Sequence, residues 1–416
     1  MVVKTRSVLV IGFNIRPLAY SLKNAGYEVF AVDFFGDLDL YPNVKDCLIV
    51  TKEFKTNYNS IKERYSKLFP DLTIKMLNNH PNVDFLIIGS GLDDAYEERE
   101  EIIQYLKSRR KKILNLNNDI QIIKRARDIE FIYEFLKSKR ITVPFTVPYE
   151  NLDSNTTNFN FPCVLKKTRS AGGINVFKID NPKAFTAIVE TLELKEFNPS
   201  EWVIQEFIRG IPVSCTTISN GKECELITIN QQIIGNQILN PPKQFMYCGN
   251  IVPAKIPRKD KKLIFKLSKI LSIELGLKGI NGFDFVLKDH YPFLMEINPR
   301  IPGSIRASEL SLNLNLMDLH IRSFLPNEWK TVKNSLKSKK INGYSTKFIF
   351  FSPKQINPHL ISKINQIQFI HDKSEPIKDL LKGEPVCTIL VKAKGKLESY
   401  KKGLEIVNKI NEVIGL

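Results

Sequence analysis

The stretch from Gly279 to Arg300, GINGFDFVLKDHYPFLMEINPR, constrains this chain more than any other. Two runs in which apolar and polar residues alternate flank Asp289-His290, the pattern of an antiparallel hairpin with one apolar and one polar face. On the first strand Phe283 and Phe285 point one way and Asp284 the other. On the second, Met295 and Ile297 share a face, while Glu296, Asn298 and then Arg300 lie opposite. If the polar sides align, two carboxylates, an amide oxygen and a guanidinium converge. An acidic pair alone is no more than the wet face of a hairpin. With Asn-Pro-Arg closing the strand, the set fits Mg²⁺, which takes oxygen ligands and completes its octahedral shell with phosphates and water. Arg300 then offers a bidentate fork to a phosphoryl group or a carboxylate.

Two motifs precede this hairpin. PCVLKKTRSAGGINV puts Lys166 at the end of an apolar strand, followed by the small-residue turn Ser170, Ala171, Gly172 and Gly173. Successive amides of such a turn cradle phosphate oxygens and the lysine adds a point charge, although any hairpin turn also wants glycine. WVIQEFIRG then delivers Gln205, Glu206, Phe207 and Ile208 into a turn at Gly210. A strand end of this kind reads adenine through backbone groups, or is a plain edge strand.

The first hundred residues alternate short apolar strands with helical stretches (SVLVIGF, RPLAYSLKNAG, YEVFAVDF, VDFLIIGSG), a parallel βα pattern. The turn after the first strand reads Gly12-Phe13-Asn14-Ile15-Arg16-Pro17, without the second and third glycines of a dinucleotide fingerprint. Asn14, Arg16 and the stretch Gly89 to Asp94 fall at the ligand edge of such a sheet, where helix capping by Asp93 and a surface arginine are the plainer readings. One long helix is expected from about Asp119 to Lys139, then an extended linker, ITVPFTVP, then α+β structure with an antiparallel sheet. The stretch from about Lys333 is short, basic and mixed.

A chain of 416 residues is long enough for two or three domains. Its formal charge of +17 is spread over runs such as 107–112 and 333–340, which read as solvated faces, and no nucleic-acid module is recognisable. Nucleic acid is therefore disfavoured against small anionic substrates. The six cysteines are scattered with no C-x-x-C pair, so buried free thiols are expected. No apolar run approaches the roughly 20 residues of a membrane span, and the chain opens directly into a strand, so a cytoplasmic protein is expected. His320 and His371 read as structural.

In this order, PCVLKK with SAGG, VIQEFIRG, NGFDFV and FLMEINPR resemble the ATP-grasp superfamily, and Val8 to Leu40 resembles its predicted ATP-dependent carboligases. The resemblance implies a Rossmann-like α/β domain over 1–115, a two-lobed α+β ATP-grasp domain over 116–330 with its lid lobe at about 140–210, and a small C-terminal α/β segment over 331–416. It implies that Lys166 contacts ATP phosphate, that Ser170, Ala171, Gly172 and Gly173 form a phosphate lid, and that the Gln205–Ile208 strand end holds adenine through the Glu206 and Ile208 backbones. It makes Asp284, Glu296 and Asn298 ligands of Mg²⁺, with Mn²⁺ as a substitute, and sets Arg300 against phosphate and substrate. The family's Asp-Lys segment is matched at Asp128, but Ile129 stands in the lysine position, so Lys124, one turn earlier, is the candidate replacement. The implied activity is carboxylate–amine ligation through an acylphosphate, with Arg300 and Arg306 facing the tetrahedral oxyanion. A carboxylase-like or kinase-type reaction and a non-enzymatic anion or nucleic-acid binder are the alternatives. The partners would be a small acid and an amine, and the assembly a homodimer.

Overall fold

The computed structural model describes residues 5–56, 61, 64–152, 160–170, 172–193 and 197–416. Its first layer is a parallel sheet of β1 (Ser7–Gly12), β2 (Glu28–Asp33), β3 (Asp46–Ile49), β4 (Phe85–Ile88) and β5 (Leu114–Asn115), in the order β3-β2-β1-β4-β5. Both faces are buried, Val8 and Val10 in one core and Leu9 and Ile11 in another, which is why the strands read as continuous apolar runs. Strand order reverses between β1 and β4, so the loops after these two strands open at the switch point where such sheets bind ligands. The two loops touch: a Cβ on Gly12 would lie 2.9 Å from the Ser90 carbonyl oxygen.

A small antiparallel sheet follows, made of β6 (Thr146–Pro148), β7 (Cys163–Lys167), β8 (Val176–Ile179) and β9 (Trp202–Glu206) in the order β6-β9-β7-β8. The second half of the expected linker is thus an edge strand, a place that tolerates Pro148 because one side of the strand needs no ladder donor. The expected helix from Asp119 to Lys139 is two helices, Ile120–Arg127 and Ile129–Ser138. Asp128 interrupts it in an extended conformation, and its carboxylate caps the second helix by accepting from the Phe131 N–H at 3.0 Å.

The large sheet contains β10 (Ile211–Asn220), β11 (Cys224–Ile234), β12 (Tyr247–Val252), β13 (Lys278–Lys288), β14 (Tyr291–Asn298), β15 (Tyr344–Phe351), β16 (Ile370–His371) and β17 (Pro385–Ala393). Its order is β14-β13-β10-β11-β12-β15-β17-β16, so the C-terminal strands continue one sheet through the β12–β15 pair. One face is apolar, with Val213, Phe283, Phe285 and Ile297 packed together with Ile264 and Leu271 of helix Arg258–Glu274. Further along, Phe348 and Ile389 pack with Ile406 and Ile410 of helix Lys396–Ile414. A parallel α/β layer followed by antiparallel α+β sheets is the architecture the sequence patterns imply. Among the described residues no helix is long and apolar enough to cross a membrane. All six cysteines are free and five are buried.

Candidate active site

The β13–β14 hairpin turns at Asp289 and His290, both with positive φ (48° and 65°). Asp284 lies directly opposite Glu296, and Gly282 opposite Asn298, so the polar sides do align. The register slips between Asp284 and Phe285, because Phe285 faces Leu294. This bulge corrects the expected alternation: Leu294, not Met295, joins Ile297 in the core, and Met295 is only half-buried.

Asp284 accepts from Asn298 Nδ2 at 2.9 Å and from Gln232 Nε2 at 3.0 Å. Burial, and then the Glu296 charge opposite, push its carboxyl up to about 7. Two carboxylates with an amide oxygen, one of the carboxylates reluctant to ionise beside the other, are a donor set that a hard divalent cation relieves. Among the described residues no group of three or more His, Cys, Asp or Glu is placed to hold a metal; this set reaches three ligands only through Asn298. The raised carboxyl also costs stability. Below the unfolded-state pKa both states are protonated; as pH rises towards 7 only the unfolded chain releases the proton, and folding weakens. Asp284→Asn is therefore expected to raise metal-free stability at pH 8 but not at pH 4, as read by chemical denaturation at the two pH values.

A cation that sequence reasoning did not single out sits at the centre. Arg127, with a side chain 3% exposed, forks onto Asp94 (Nε–Oδ1 2.7 Å, Nη2–Oδ2 2.9 Å) and donates from Nη1 to Glu296 Oε1 at 2.8 Å. Its Nη2 also reaches the Ser170 carbonyl at 3.1 Å. The signal was present, since Ile120, Ile123 and Arg127 share the buried stripe of their helix. Lys124 instead points outward, 5.2 Å from the Tyr96 ring centre. Arg300 pairs with buried Asp93, whereas Arg306 pairs with Glu309 and stacks on the Tyr20 ring.

Lys166 is the penultimate residue of β7 and is half-buried; burial brings its ammonium down to about 8 against the opposing pull of Glu296. Ala171 lies outside the described residues. The rest of the glycine turn is docked on the 243–247 loop: Tyr247 N–H donates to the Gly172 carbonyl at 3.2 Å and Lys243 Nζ to the Ile174 carbonyl at 2.8 Å. Gly173 has φ +78°, and a Cβ there would fall 2.0 Å from the Phe245 carbonyl oxygen. Gly173→Ala is expected to lift the turn off this loop, and limited proteolysis should then cut near residue 173 faster than in the parent protein.

The Gln205 side chain is committed inside the protein, donating to Thr146 Oγ1 at 2.8 Å and Tyr133 Oη at 3.1 Å. Glu206 N–H donates to the Phe145 carbonyl at 2.8 Å. Phe207 stands 6.3 Å from the Phe245 ring, and Ile208 is buried just past the strand end. His320 is structural: its Nδ1 accepts from the Ile280 N–H and its Nε2 faces the Leu116 carbonyl, each at 3.0 Å, and burial lowers its pKa to about 4.

Residues 126–304 match the family model of the ATP-grasp domain. An uncharacterised protein of Methanocaldococcus jannaschii is 29% identical over 393 residues, covering 92% of this chain and 88% of that one. A formate-dependent phosphoribosylglycinamide formyltransferase of Prochlorococcus marinus is 22% identical, covering 74% and 73%. Among solved structures the fold is similar to that of an L-amino acid ligase from Bacillus licheniformis, with a TM-score of 0.68 at 15% identity over 97% of each chain. The matched stretch contains Arg127, the glycine turn and the whole acidic hairpin, and over these residues the chain is similar to the ATP-grasp domain.

Proposed function

We propose that the protein is an ATP-dependent carboxylate–amine ligase with its nucleotide site between the small sheet and the β13–β14 hairpin. The observation that carries this reading is the register pairing of Asp284 with Glu296, whose charge also acts on the Lys166 ammonium, with Arg300 at the hairpin's end. In this reading Lys166 and the turn at Ser170, Gly172 and Gly173 hold the phosphates, the Glu206 and Ile208 backbones meet adenine, and Asp284, Glu296 and Asn298 hold Mg²⁺. Mg²⁺ bound there supplies charge neutralisation of the transferring phosphoryl group.

The substrate carboxylate attacks the γ-phosphorus in line, releasing ADP and leaving an acylphosphate. The amine nitrogen then attacks the acyl carbon, the C–O bond to phosphate breaks, and phosphate leaves as the nitrogen loses its proton. Arg300, fixed by Asp93, faces the reacting groups and stabilises the negative charge of both steps. No protein nucleophile takes part. The similarity to an L-amino acid ligase and to a formate-dependent phosphoribosylglycinamide formyltransferase agrees with such chemistry. The domain limits 1–115, 116–330 and 331–416 belong to this proposal.

The test is a screen of acids and amines for ADP and phosphate release, with Glu296→Ala as the blank. Release that never depends on an added amine would point instead to carboxylase-like or kinase-type chemistry. A second expectation follows from Lys166. The free protein holds its ammonium near a pKa of 8 and the triphosphate favours the charged form, so Mg-ATP affinity is expected to fall as pH rises above about 8. Lys166→Arg, charged throughout, should flatten that dependence in a nucleotide titration.

A further inference from the structure

The face of the large sheet opposite its apolar core carries a row of polar side chains. Residues directly opposed across a ladder share a face, and the register sets Glu296 beside Asp284, Asp284 beside Ser214, and Ser214 beside Asn230. Two residues along β11, Gln232 faces Asn250, and Asn250 faces Lys347. The row therefore crosses six strands, from the acidic hairpin to β15. Ser214, Asn230, Asn250 and Lys347 are all buried, an arrangement that costs stability unless each group is satisfied.

Three of its amides are hydrogen-bonded within the row or to residues beside it. Asn230 Nδ2 donates to Ser304 Oγ at 3.2 Å, Gln232 to Asp284, and the Tyr247 hydroxyl to Asn250 Oδ1. Lys347 is only partly satisfied. It is only 9% exposed, and among the described residues its ammonium makes one hydrogen bond, to the Gly303 carbonyl at 2.9 Å. An ammonium has three donors, so two are left. The nearby carboxylate of Asp372 is already held by buried Arg16, with Nε 2.7 Å from Oδ1. Tyr247 joins the two ends of the row: Lys347 Nζ lies 5.9 Å from its ring centre, and the charges of Asp284 and Arg300 both act on its phenol.

From this we infer that Lys347 anchors a second anionic group, a carboxylate or a phosphate, on the acid that the site activates. The substrate would then lie along the polar row past Tyr247, with its reacting carboxylate at Arg300 and its far anion on the two spare ammonium donors. The class is a dicarboxylic or phosphorylated acid. Activation at the Arg300 end rests on the ligase reading; the anion site at Lys347 does not.

The test is calorimetric titration of inorganic phosphate and of glutarate into the full-length protein, with and without saturating Mg-ADP, for the parent, Lys347→Met and Lys347→Arg. The parent is expected to bind at least one probe with Mg-ADP present, Lys347→Met to bind it at least tenfold more weakly, and Lys347→Arg to retain most of the affinity. The stronger probe distinguishes phosphate from carboxylate as the preferred anion. Equal binding by the parent and Lys347→Met, or no binding by the parent, overturns the inference. If Lys347→Met does not fold, Lys347→Gln takes its place under the same criteria. Mg-ADP affinity, measured alongside in Glu296→Ala, tests the nucleotide end separately, so failure of one reading is distinguishable from failure of the other.

Discussion

Glu296→Ala is expected to lower Mg²⁺-dependent ADP formation by about 10³-fold, the scale on which a preorganised charge-stabilising contact to a transferring group acts. Glu296 meets three things at once: it opposes Asp284 in register, accepts from Arg127, and pulls on the Lys166 ammonium. Its removal leaves one carboxylate and one amide oxygen for the cation, too few to fix Mg²⁺ against water. With about 40% of its side chain exposed, its loss should change folding stability little. The pair of measurements is turnover and denaturant midpoint. Activity within tenfold of the parent would remove Glu296 from the metal end, while a large fall in midpoint would recast it as a structural residue.

Arg127→Ala should behave in the opposite sense, damaging the fold as well as the site. Its guanidinium is buried among groups from three parts of the chain, and its loss takes from the Asp94 and Glu296 carboxylates the cation both are hydrogen-bonded to. Removing one partner of a fully buried ion pair costs about 3–5 kcal/mol; both carboxylates here retain some water, so about 2–4 kcal/mol is expected. Arg127→Lys should restore only part of this, because an ammonium cannot reproduce the bidentate fork on Asp94 and still reach Glu296. Docking of the glycine turn should loosen too, through the lost bond to the Ser170 carbonyl. Hydrogen exchange around residues 166–176, compared with exchange in the distant helix Lys396–Ile414, separates that local effect from general destabilisation. An Arg127→Ala protein as stable as its parent would show that Asp94 and Glu296 do not depend on this guanidinium.

The polar face of the hairpin was legible because it is local. Alternation places Asp284, Glu296 and Asn298 on one side wherever two strands pair, and Asp289-His290 marks the turn. The bulge was not legible, since nothing within β14 says that Leu294 rather than Met295 will face the core; the partner strand decides it. The helix break at Asp128 was readable as a capping aspartate ahead of an apolar-periodic stretch, but the periodicity on either side masked it. Lys124 is the cation one turn before the lysine position left vacant by Ile129, but helical phase turns it outward and turns Arg127, three residues on, inward.

The sequence by itself determined the parallel first layer, the antiparallel remainder and the polar hairpin face that carries Asp284, Glu296 and Asn298, because each follows from residue spacing over a few turns or strands. Only the tertiary structure decided who neutralises whom. Arg127 reaches Glu296 across 169 residues and Arg300 reaches Asp93 across 207. Lys347 joins the polar row because β15 pairs with β12 across the whole β13–β14 hairpin. Such partnerships depend on which strands become neighbours when the cores close, and packing of the apolar faces sets that order rather than any local preference of the charged residues themselves.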